Sequence, residues 1–310
     1  MLFNSCSIPA TDPENNEVDD VETIHLSICV LGNSYSCDSF SYLPFILKEY
    51  GITTNIHIYF RGNGSLHDLS EQWYDSSQTS VADIDGGQRY RLHFSIDTRK
   101  EDKWIKDKLM SAHDMLMLEK WDIITLQQGG NRAKIPETYV PYLQDIINHI
   151  DSVCNYKYVR TWFMAYNNAS ENSKEGSCEA SLSTQFDITH NYPFDLVLPV
   201  ATAVFNCQQT ETLAVLGDSR YKRMYAPDNE HLQEGLPCYV AALTIAEAIL
   251  RKYKPECSVL GNKIRPTSSW IELVNGILRD GESTGVNEYN CNLAQCIAFY
   301  SNDHMYEISY

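Results

Sequence analysis

Hydrophobic residues follow two periodicities along the chain, which together predict an α/β fold. Short apolar runs typical of buried strands are separated by longer segments in which apolar residues recur every three or four positions. Strands separated by helices need crossover connections, and these produce a parallel sheet covered on both faces. The pattern therefore predicts a three-layer α/β/α sandwich around a five-stranded parallel sheet of the flavodoxin-like type.

The predicted elements are five buried strands, one less regular strand and a series of helices. The strands cover Ile24–Leu31, Ile52–Phe60, Trp121–Leu126, Tyr158–Met164 and Leu196–Val200, with Gln88–Ile96 as the less regular one. The helices cover Phe40–Tyr50, Ile105–Leu118, Pro136–Val153 and Glu234–Lys252, followed in the tail by Ser268–Leu278 and Asn287–Tyr300. The tail is too short for an independent domain, so residues 23–310 are predicted to form a single domain.

The first 22 residues differ in composition from the rest of the chain. They are polar and acidic, which predicts a disordered leader. The stretch Leu2–Ser7 resembles the cleavage region of a bacterial lipoprotein but lacks the apolar segment that should precede it. This favours the cell envelope or periplasm as the location, with the cytoplasm as the alternative.

Net charge, apolar runs and cysteine spacing exclude several kinds of partner and site. The formal net charge is −17 and no basic stripe is present, so nucleic acid is not an expected partner. No run of 18 apolar residues exists, so no transmembrane helix is predicted. The ten cysteines form no Cys-x-x-Cys pair, which leaves a cysteine zinc site or a thioredoxin-like motif without support. Neither a metal nor a cofactor is predicted.

Ser34 is the first candidate for chemistry. The predicted strand Ile24–Leu31 ends in Gly32-Asn33-Ser34, which delivers a serine into a loop at the strand's carboxyl end. A serine hydroxyl becomes a useful nucleophile only when a base takes its proton. The alternative is an ordinary turn, because Gly, Asn and Ser all favour turns.

The stretch Asp228-Asn229-Glu230-His231 supplies a candidate base. A histidine is able to accept the serine proton, and an aspartate three residues earlier is able to hold the imidazole tautomer. The alternative is a surface loop in which the polar residues cap the following helix. Together with Ser34 the pair makes a candidate Ser/His/Asp triad in the chain order Ser, Asp, His.

A second serine matches a hydrolase motif more literally. Gly217-Asp218-Ser219 follows the apolar pair Val215-Leu216. It lies only nine residues before Asp228, however, which leaves no room for a following helix and further strands. Ser219 is therefore rejected as the nucleophile.

Two glycine-rich loops offer donors for an oxyanion. Beside the Ser34 amide, the loop after the second strand contains Gly62 and Gly64, and the loop after Trp121–Leu126 contains the amide side chains of Gln127, Gln128 and Asn131. Loops that follow strand ends meet at one edge of a parallel sheet, which favours a shared site. Trp162 and Tyr166, near the end of the fourth strand, either line a substrate cleft or belong to the core.

At these motifs the chain resembles the GDSL/SGNH hydrolases, which are esterases and lipases with a flavodoxin-like fold. It is most similar to an uncharacterised bacterial branch with a Gly-Asn-Ser start, a Leu-Gln-Gln third block, a strand end that begins with Thr-Trp and contains a tyrosine, and an Asp-x-x-His-Leu finish. The corresponding segments here are Gly32–Ser34, Leu126–Gln128, Thr161–Tyr166 and Asp228–Leu232. The resemblance covers roughly residues 24–300.

The resemblance implies a serine esterase that works through an acyl-enzyme on a small-molecule or glycan ester, often an acetyl ester. It maps the nucleophile to Ser34, the base and its partner to His231 and Asp228, and the second-block glycine to Gly62 or Gly64. The family carries Gly-x-Asn-Asp in its third block, so Gln128 is the first candidate for the missing asparagine, with Gln127 and Asn131 as alternatives.

The altered third block supports one rival function, a catalytically weak or inactive glycan-binding or structural protein. A nucleotide-binding rival is disfavoured because Gly32–Ser36 has a single glycine.

Overall fold

The computed structural model of the protein describes residues 23–75, 80–82, 88–107, 109–209, 224–262, 264–267, 270, 274, 277, 286 and 288–309. The predicted leader, Ser219 and most of the predicted helix Ser268–Leu278 lie outside these residues. The assignment of residues 23–310 to one domain stays a prediction.

Eight strands and ten α-helices make up the described part of the chain. The strands are β1 (Ile24–Gly32), β2 (Ile52–Arg61), β3 (Ser80–Ala82), β4 (Gln88–Asp97), β5 (Ile105–Asp107), β6 (Ile123–Gln127), β7 (Val159–Phe163) and β8 (Leu196–Leu198). The helices are α1 (Ser34–Phe40), α2 (Leu43–Glu49), α3 (Leu66–Glu71), α4 (Ala112–Leu116), α5 (Tyr142–Val153), α6 (Ala169–Asn172), α7 (Ser177–Asn191), α8 (Val200–Gln209), α9 (Leu236–Tyr253) and α10 (Glu288–Asp303).

The sheet is mixed and mostly parallel, with the order β3-β4-β2-β1-β6-β7-β8 and β5 paired to β4. Strands β2, β1, β6, β7 and β8 are mutually parallel, so the five parallel strands are confirmed. The sheet is larger than predicted, because β4 pairs antiparallel with β2, and β3 and β5 pair antiparallel with β4. Residues 62–87 connect β2 to β4. Their hydrophobic pattern does not predict a crossover helix of the usual length, which a parallel β4 would need.

Strand β1 occupies the centre of the parallel region, between β2 and β6. Its segment from Leu26 to Leu31 is buried throughout, as is the whole of β6. Connections from β1 lead to one side of the sheet and those from β6 to the other. In open α/β sheets, ligands bind outside the carboxyl ends of strands at such a point. Asn33, which follows β1, and the loop that begins at Gln128 both lie there.

Helices flank the sheet in two packed groups. Helix α9 packs on α1, α2, α8 and α10, and α5 packs on α3 and α4. Every residue of α9 from Leu236 to Leu250 is buried, which agrees with its nearly continuous apolar sequence. None of the described helices is long and apolar enough to span a membrane.

Three predicted helices have the wrong extent, and proline explains two of them. The segment Phe40–Tyr50 forms two helices, and Pro44 stands in the first turn of α2, where a missing N–H costs nothing. A helix from Pro136 would place Pro141 in its interior, so instead a 3₁₀ turn covers Pro136–Thr138 and α5 starts after Pro141.

The third error is the helix predicted over Ile105–Leu118. Residues 105–107 pair with β4 as an edge strand, and the Ser111 side chain caps a short helix that starts at Ala112. The hydroxyl of Ser111 accepts a hydrogen bond from the Asp114 amide at 2.9 Å, which fixes that start.

Candidate active site

Ser34 is the first residue of helix α1, two residues after the last residue of β1. Asn33 is the only connection between strand and helix, and it caps α1 by accepting a hydrogen bond from the Tyr35 amide at 3.0 Å. The strand therefore ends directly in a helix rather than in the predicted loop. The Ser34 amide is among the first amides of the helix, which have no acceptor within it.

Gly32 is required by close packing behind Ser34. A Cβ atom at position 32 would overlap Ser36 Oγ and lie 2.7 Å from Gln127 Oε1. Because Ser36 Oγ donates a hydrogen bond to that same Gln127 oxygen, no side chain fits between them. Gly32 thus lets the end of β1 lie directly against the end of β6.

Ser34, His231 and Asp228 form a continuous hydrogen-bonded chain. The distance from Ser34 Oγ to His231 Nε2 is 2.6 Å, and the distance from His231 Nδ1 to Asp228 Oδ2 is 2.7 Å. Since an ionised carboxylate only accepts hydrogen bonds, Nδ1 carries the proton and Nε2 accepts the serine hydroxyl. The structure thus brings together the three residues of the predicted triad, although Ser34 and His231 are 197 positions apart in the sequence.

The Asp228 carboxylate is held by its own turn. Its Oδ1 accepts hydrogen bonds from the amides of Glu230 and His231 at 3.0 and 3.1 Å. Burial by itself would raise the pKa of Asp228, but these backbone hydrogen bonds and the bond from the His231 ring outweigh it. The pKa of Asp228 therefore lies below its ordinary value, and the group is ionised at neutral pH.

The loop that carries His231 is a tight antiparallel turn between Met224 and Gln233. The Ala226 amide donates to the His231 carbonyl at 2.8 Å, and the Gln233 amide donates to the Met224 carbonyl at 3.0 Å. Asn229 adopts a left-handed backbone conformation with φ 59°, which asparagine tolerates well. The turn presents His231 toward Ser34 with both residues nearly buried.

Asp38 connects this loop to the serine helix. The residue is buried, and its Oδ2 accepts hydrogen bonds from the Leu232 amide at 3.0 Å and from the Tyr166 hydroxyl at 2.9 Å. It lies four residues after Ser34, one helical turn along α1, so the same helix positions both the serine and the histidine loop. The sequence pattern alone does not indicate Asp38, because its spacing from Ser34 has meaning only when a helix starts at Ser34.

The predicted oxyanion residues have different surroundings in the structure. Gln128 is fully buried, its Oε1 accepts from the Leu66 and Gly129 amides, and its Nε2 donates to the carbonyl and hydroxyl of Thr138. Both ends of its amide therefore hold loops in place. This corrects the prediction that Gln128 is the first candidate to replace the family's asparagine as an oxyanion donor.

The two glycines lie in the turn that follows β2. The Gly64 amide donates to the Arg61 carbonyl at 2.9 Å, and the Gly64 carbonyl accepts from Asn33 Nδ2 at 3.0 Å. Gly64 is therefore tied to the serine block, but its amide hydrogen is engaged in the turn. The contribution of Gly62 to an oxyanion hole stays a prediction.

Asn131 is the exposed amide of the third loop. It lies in the 3₁₀ turn Gly130–Arg132, and its Oδ1 accepts a hydrogen bond from Asn168 Nδ2 at 2.7 Å. The adjacent Ala169 amide donates to the Asn229 carbonyl at 2.9 Å, within the turn that carries the triad histidine. Because its oxygen is held in this way, the NH₂ group is the end of the side chain available to a ligand.

Three of the four predicted cleft residues are part of the core. Trp162 and Tyr166 have no exposed surface, and Gln127 is buried with its amide nitrogen 2.6 Å from Asn33 Oδ1. Tyr166 stacks on Tyr35 with ring centroids 4.2 Å apart, and Tyr35 contacts the His231 ring edge to face. Gln127 and Tyr166 thus pack against the residues around Ser34, Trp162 belongs to the core, and Asn131 is the exposed member of the four.

No family model matches the chain, and no curated protein matches its sequence. Among solved structures, a DUF4886 family protein from Bacteroides uniformis is similar, with a TM-score of 0.70 and 19% identity over 92% of this chain and 97% of that one. A proposed SGNH hydrolase from Slackia heliotrinireducens is more distant, with a TM-score of 0.42 and 14% identity over 73% of this chain and 99% of that one. The first similarity shows that the two chains share a fold.

Proposed function

We propose that the protein is a serine ester hydrolase of the SGNH type that acts through an acyl-enzyme. The observation that carries the proposal is the hydrogen-bonded chain from Ser34 Oγ through the His231 ring to the Asp228 carboxylate, with distances of 2.6 and 2.7 Å. Such a chain activates a hydroxyl without a metal or an organic cofactor.

In the proposed reaction Ser34 Oγ attacks the ester carbonyl carbon while His231 Nε2 accepts the serine proton. The tetrahedral intermediate collapses as His231 returns that proton to the leaving alcohol, which leaves an acyl group on Ser34. A water molecule, deprotonated by the same nitrogen, then attacks the acyl carbon. The bond from that carbon to Ser34 Oγ breaks as His231 returns the proton to Oγ, which releases the acid and restores the serine. Asp228 holds the ring and stabilises the imidazolium in both steps.

For the oxyanion we propose the Ser34 amide and Asn131 Nδ2 as donors. The Ser34 amide is at the start of α1, and the Asn131 oxygen is held by Asn168, which leaves its NH₂ group as the donor that we assign to the oxyanion. Preorganised donors of this kind stabilise the developing negative charge without reorganising during the reaction. A backbone amide of the Gly62–Gly64 turn is the remaining candidate.

We further propose that the substrate is a small-molecule or glycan ester with a short acyl group such as acetyl. This substrate class is proposed from the family resemblance and from the chain's net charge of −17, which disfavours polyanionic substrates. Hydrolysis of a series of p-nitrophenyl esters with increasing acyl length tests the acyl preference directly.

The deciding experiment compares hydrolysis of p-nitrophenyl acetate by the wild type, Ser34→Ala and Ser219→Ala. We expect Ser34→Ala to lose activity by a factor of about 10³ or more, because the nucleophile is gone. Ser219→Ala is the matched control and should retain wild-type activity. Equal rates for the wild type and Ser34→Ala, both near background, would favour an inactive member of the fold instead.

A further inference from the structure

A second group of reactive side chains lies in the antiparallel extension of the sheet. Asp107 on β5 is directly opposite His93 on β4, and His57 on β2 is opposite Ser95, two residues along β4 from His93. Residues two apart on a strand point to the same face, as do residues directly opposite one another. The register therefore places His57, His93 and Asp107 together on one face.

Their ligand atoms are close enough to share one ion. His57 Nδ1 lies 3.0 Å from His93 Nε2, and one potential ligand atom from each of the three residues lies within 4.8 Å of the others. Two nitrogens bound to the same zinc ion at about 2.0–2.1 Å in a tetrahedral site are about 3.3 Å apart. The two rings need only a small adjustment to reach that separation.

The surroundings hold these groups in place. His93 is buried, the His57 ring packs against Trp121 with centroids 5.4 Å apart, and Ser95 Oγ donates a hydrogen bond to Asp107 Oδ2. Hydrogen bonds from such second-shell groups orient metal ligands.

The cluster is open to solvent on one side. A cavity of about 430 Å³ is lined by His57, His93 and Asp107, and also by Asp97 and Glu101. It leaves room for water to complete the coordination. The acidic side chains favour a cation, although Lys100 and Lys103 at the same cavity reduce the local negative charge.

We propose that His57, His93 and Asp107 form a binding site for a divalent transition metal of the zinc class, with water as a further ligand. Two imidazoles and one carboxylate favour such metals over Mg²⁺ and Ca²⁺, which prefer oxygen ligands alone. The site is separate from the serine triad, because His57 lies beside Cys29 in the register, five residues before Ser34. It does not depend on the proposed esterase activity.

The test is titration of the metal-free full chain with Zn²⁺ by calorimetry and with Co²⁺ by visible absorption. We expect one equivalent to bind in the wild type, and affinity to fall at least about tenfold in His57→Gln, His93→Gln and Asp107→Asn. His190→Gln is the matched control, since His190 is an exposed histidine on α7, and it should bind as the wild type does.

Circular dichroism without metal establishes that each variant is folded. If His93→Gln does not fold, then His57→Gln and Asp107→Asn decide, because neither of those residues is fully buried. Absence of a saturable equivalent in the wild type would overturn the proposal, as would unchanged affinity in these two variants. A thiolate-to-cobalt charge-transfer band would also overturn it, because it would assign the metal to the chain's free cysteines.

Discussion

At the scale of single residues, the direction of the hydrogen bonds decides what each side chain is able to do. Asp228 accepts three hydrogen bonds from its own turn, so the His231 ring presents an unprotonated Nε2 to Ser34. The amide of Gln128 has protein partners at both ends, whereas that of Asn131 is held through its oxygen. Two residues of similar chemistry in one loop therefore have different expected roles.

Asn131→Ala should lower the kcat for p-nitrophenyl acetate by about 10²–10³-fold, because an oxyanion donor is lost. KM and the free energy of unfolding should change little, since the side chain is exposed. Gln128→Ala is the matched comparison and should instead lower the free energy of unfolding by about 1–3 kcal/mol, because buried loop amides lose their acceptor. A kcat equal to that of the wild type in Asn131→Ala would rule out its role as a donor.

Asp228 gives a pH-dependent prediction for stability. Its pKa in the folded state is below the ordinary value of 3.8, so its contribution is present above about pH 4 and is lost as the pH falls through the folded pKa. Urea unfolding of the wild type and Asp228→Asn should therefore differ most at neutral pH and converge at acid pH. The difference should not exceed about 1 kcal/mol, because 42% of the side chain is exposed and water screens it. A difference that grows toward acid pH would contradict this.

At the scale of elements, the site depends on close approach between the ends of neighbouring strands. The 3₁₀ turn after β6 lies against Tyr35 of α1 and the Tyr166 carbonyl after β7, and Gly130 is the contact point. The N-terminal ends of α1 and α6 are both capped by asparagine, Asn33 and Asn168. The same two side chains also join neighbouring loops, so capping and site assembly are coupled.

Gly130→Ala should lower the free energy of unfolding by about 1–3 kcal/mol. The added Cβ would overlap the Tyr35 ring and lie 2.6 Å from the Tyr166 carbonyl oxygen, which is backbone and cannot turn aside. Gly129→Ala is the neighbouring control, where the nearest atom would be the Gly64 carbonyl at 3.1 Å. Urea unfolding should show the smaller loss for Gly129→Ala, and equal losses would contradict the packing argument.

At the scale of the whole molecule, helix α9 organises one side of the sheet. It follows the triad turn directly and packs on α1, α2, α8 and α10, so the histidine loop is connected to a helix that is buried from Leu236 to Leu250. Its buried Glu247 accepts hydrogen bonds from Arg251 Nε at 2.8 Å, from Ser258 Oγ at 2.9 Å and from the Val259 amide at 2.8 Å. This carboxylate joins α9 to the chain that follows it.

Glu247→Ala should destabilise the protein by about 2–4 kcal/mol, because it removes charged hydrogen bonds and leaves a buried amide unpaired. Asp303→Ala is the matched control, since Asp303 pairs with the same Arg251 at the surface and should contribute less than about 1 kcal/mol. Urea unfolding of both variants measures this contrast. Comparable losses in the two variants would show that the burial of Glu247 has no special importance.

The sequence by itself determined the parallel core of the sheet and the three residues of the candidate triad. Apolar strands and helices are local patterns, and strand ends in a parallel sheet converge at one edge, so the sequence pattern alone indicates Ser34, Asp228 and His231. The hydrophobic periodicity alone does not predict the helix starts near Pro44 and Pro141. The missing N–H of proline does indicate that a helix begins, rather than continues, at these positions.

Only the tertiary structure decided which side-chain amides have protein partners at both ends and which groups meet across strands. The partners of Gln128, Asn131 and Asp38 are distant in sequence, and a hydrogen bond formed after folding leaves no periodic signal. The cluster of His57, His93 and Asp107 has the same origin, because it depends on the antiparallel register of β4. Periodicity reports which face of an element is buried, whereas the functional contacts depend on the pairing between elements.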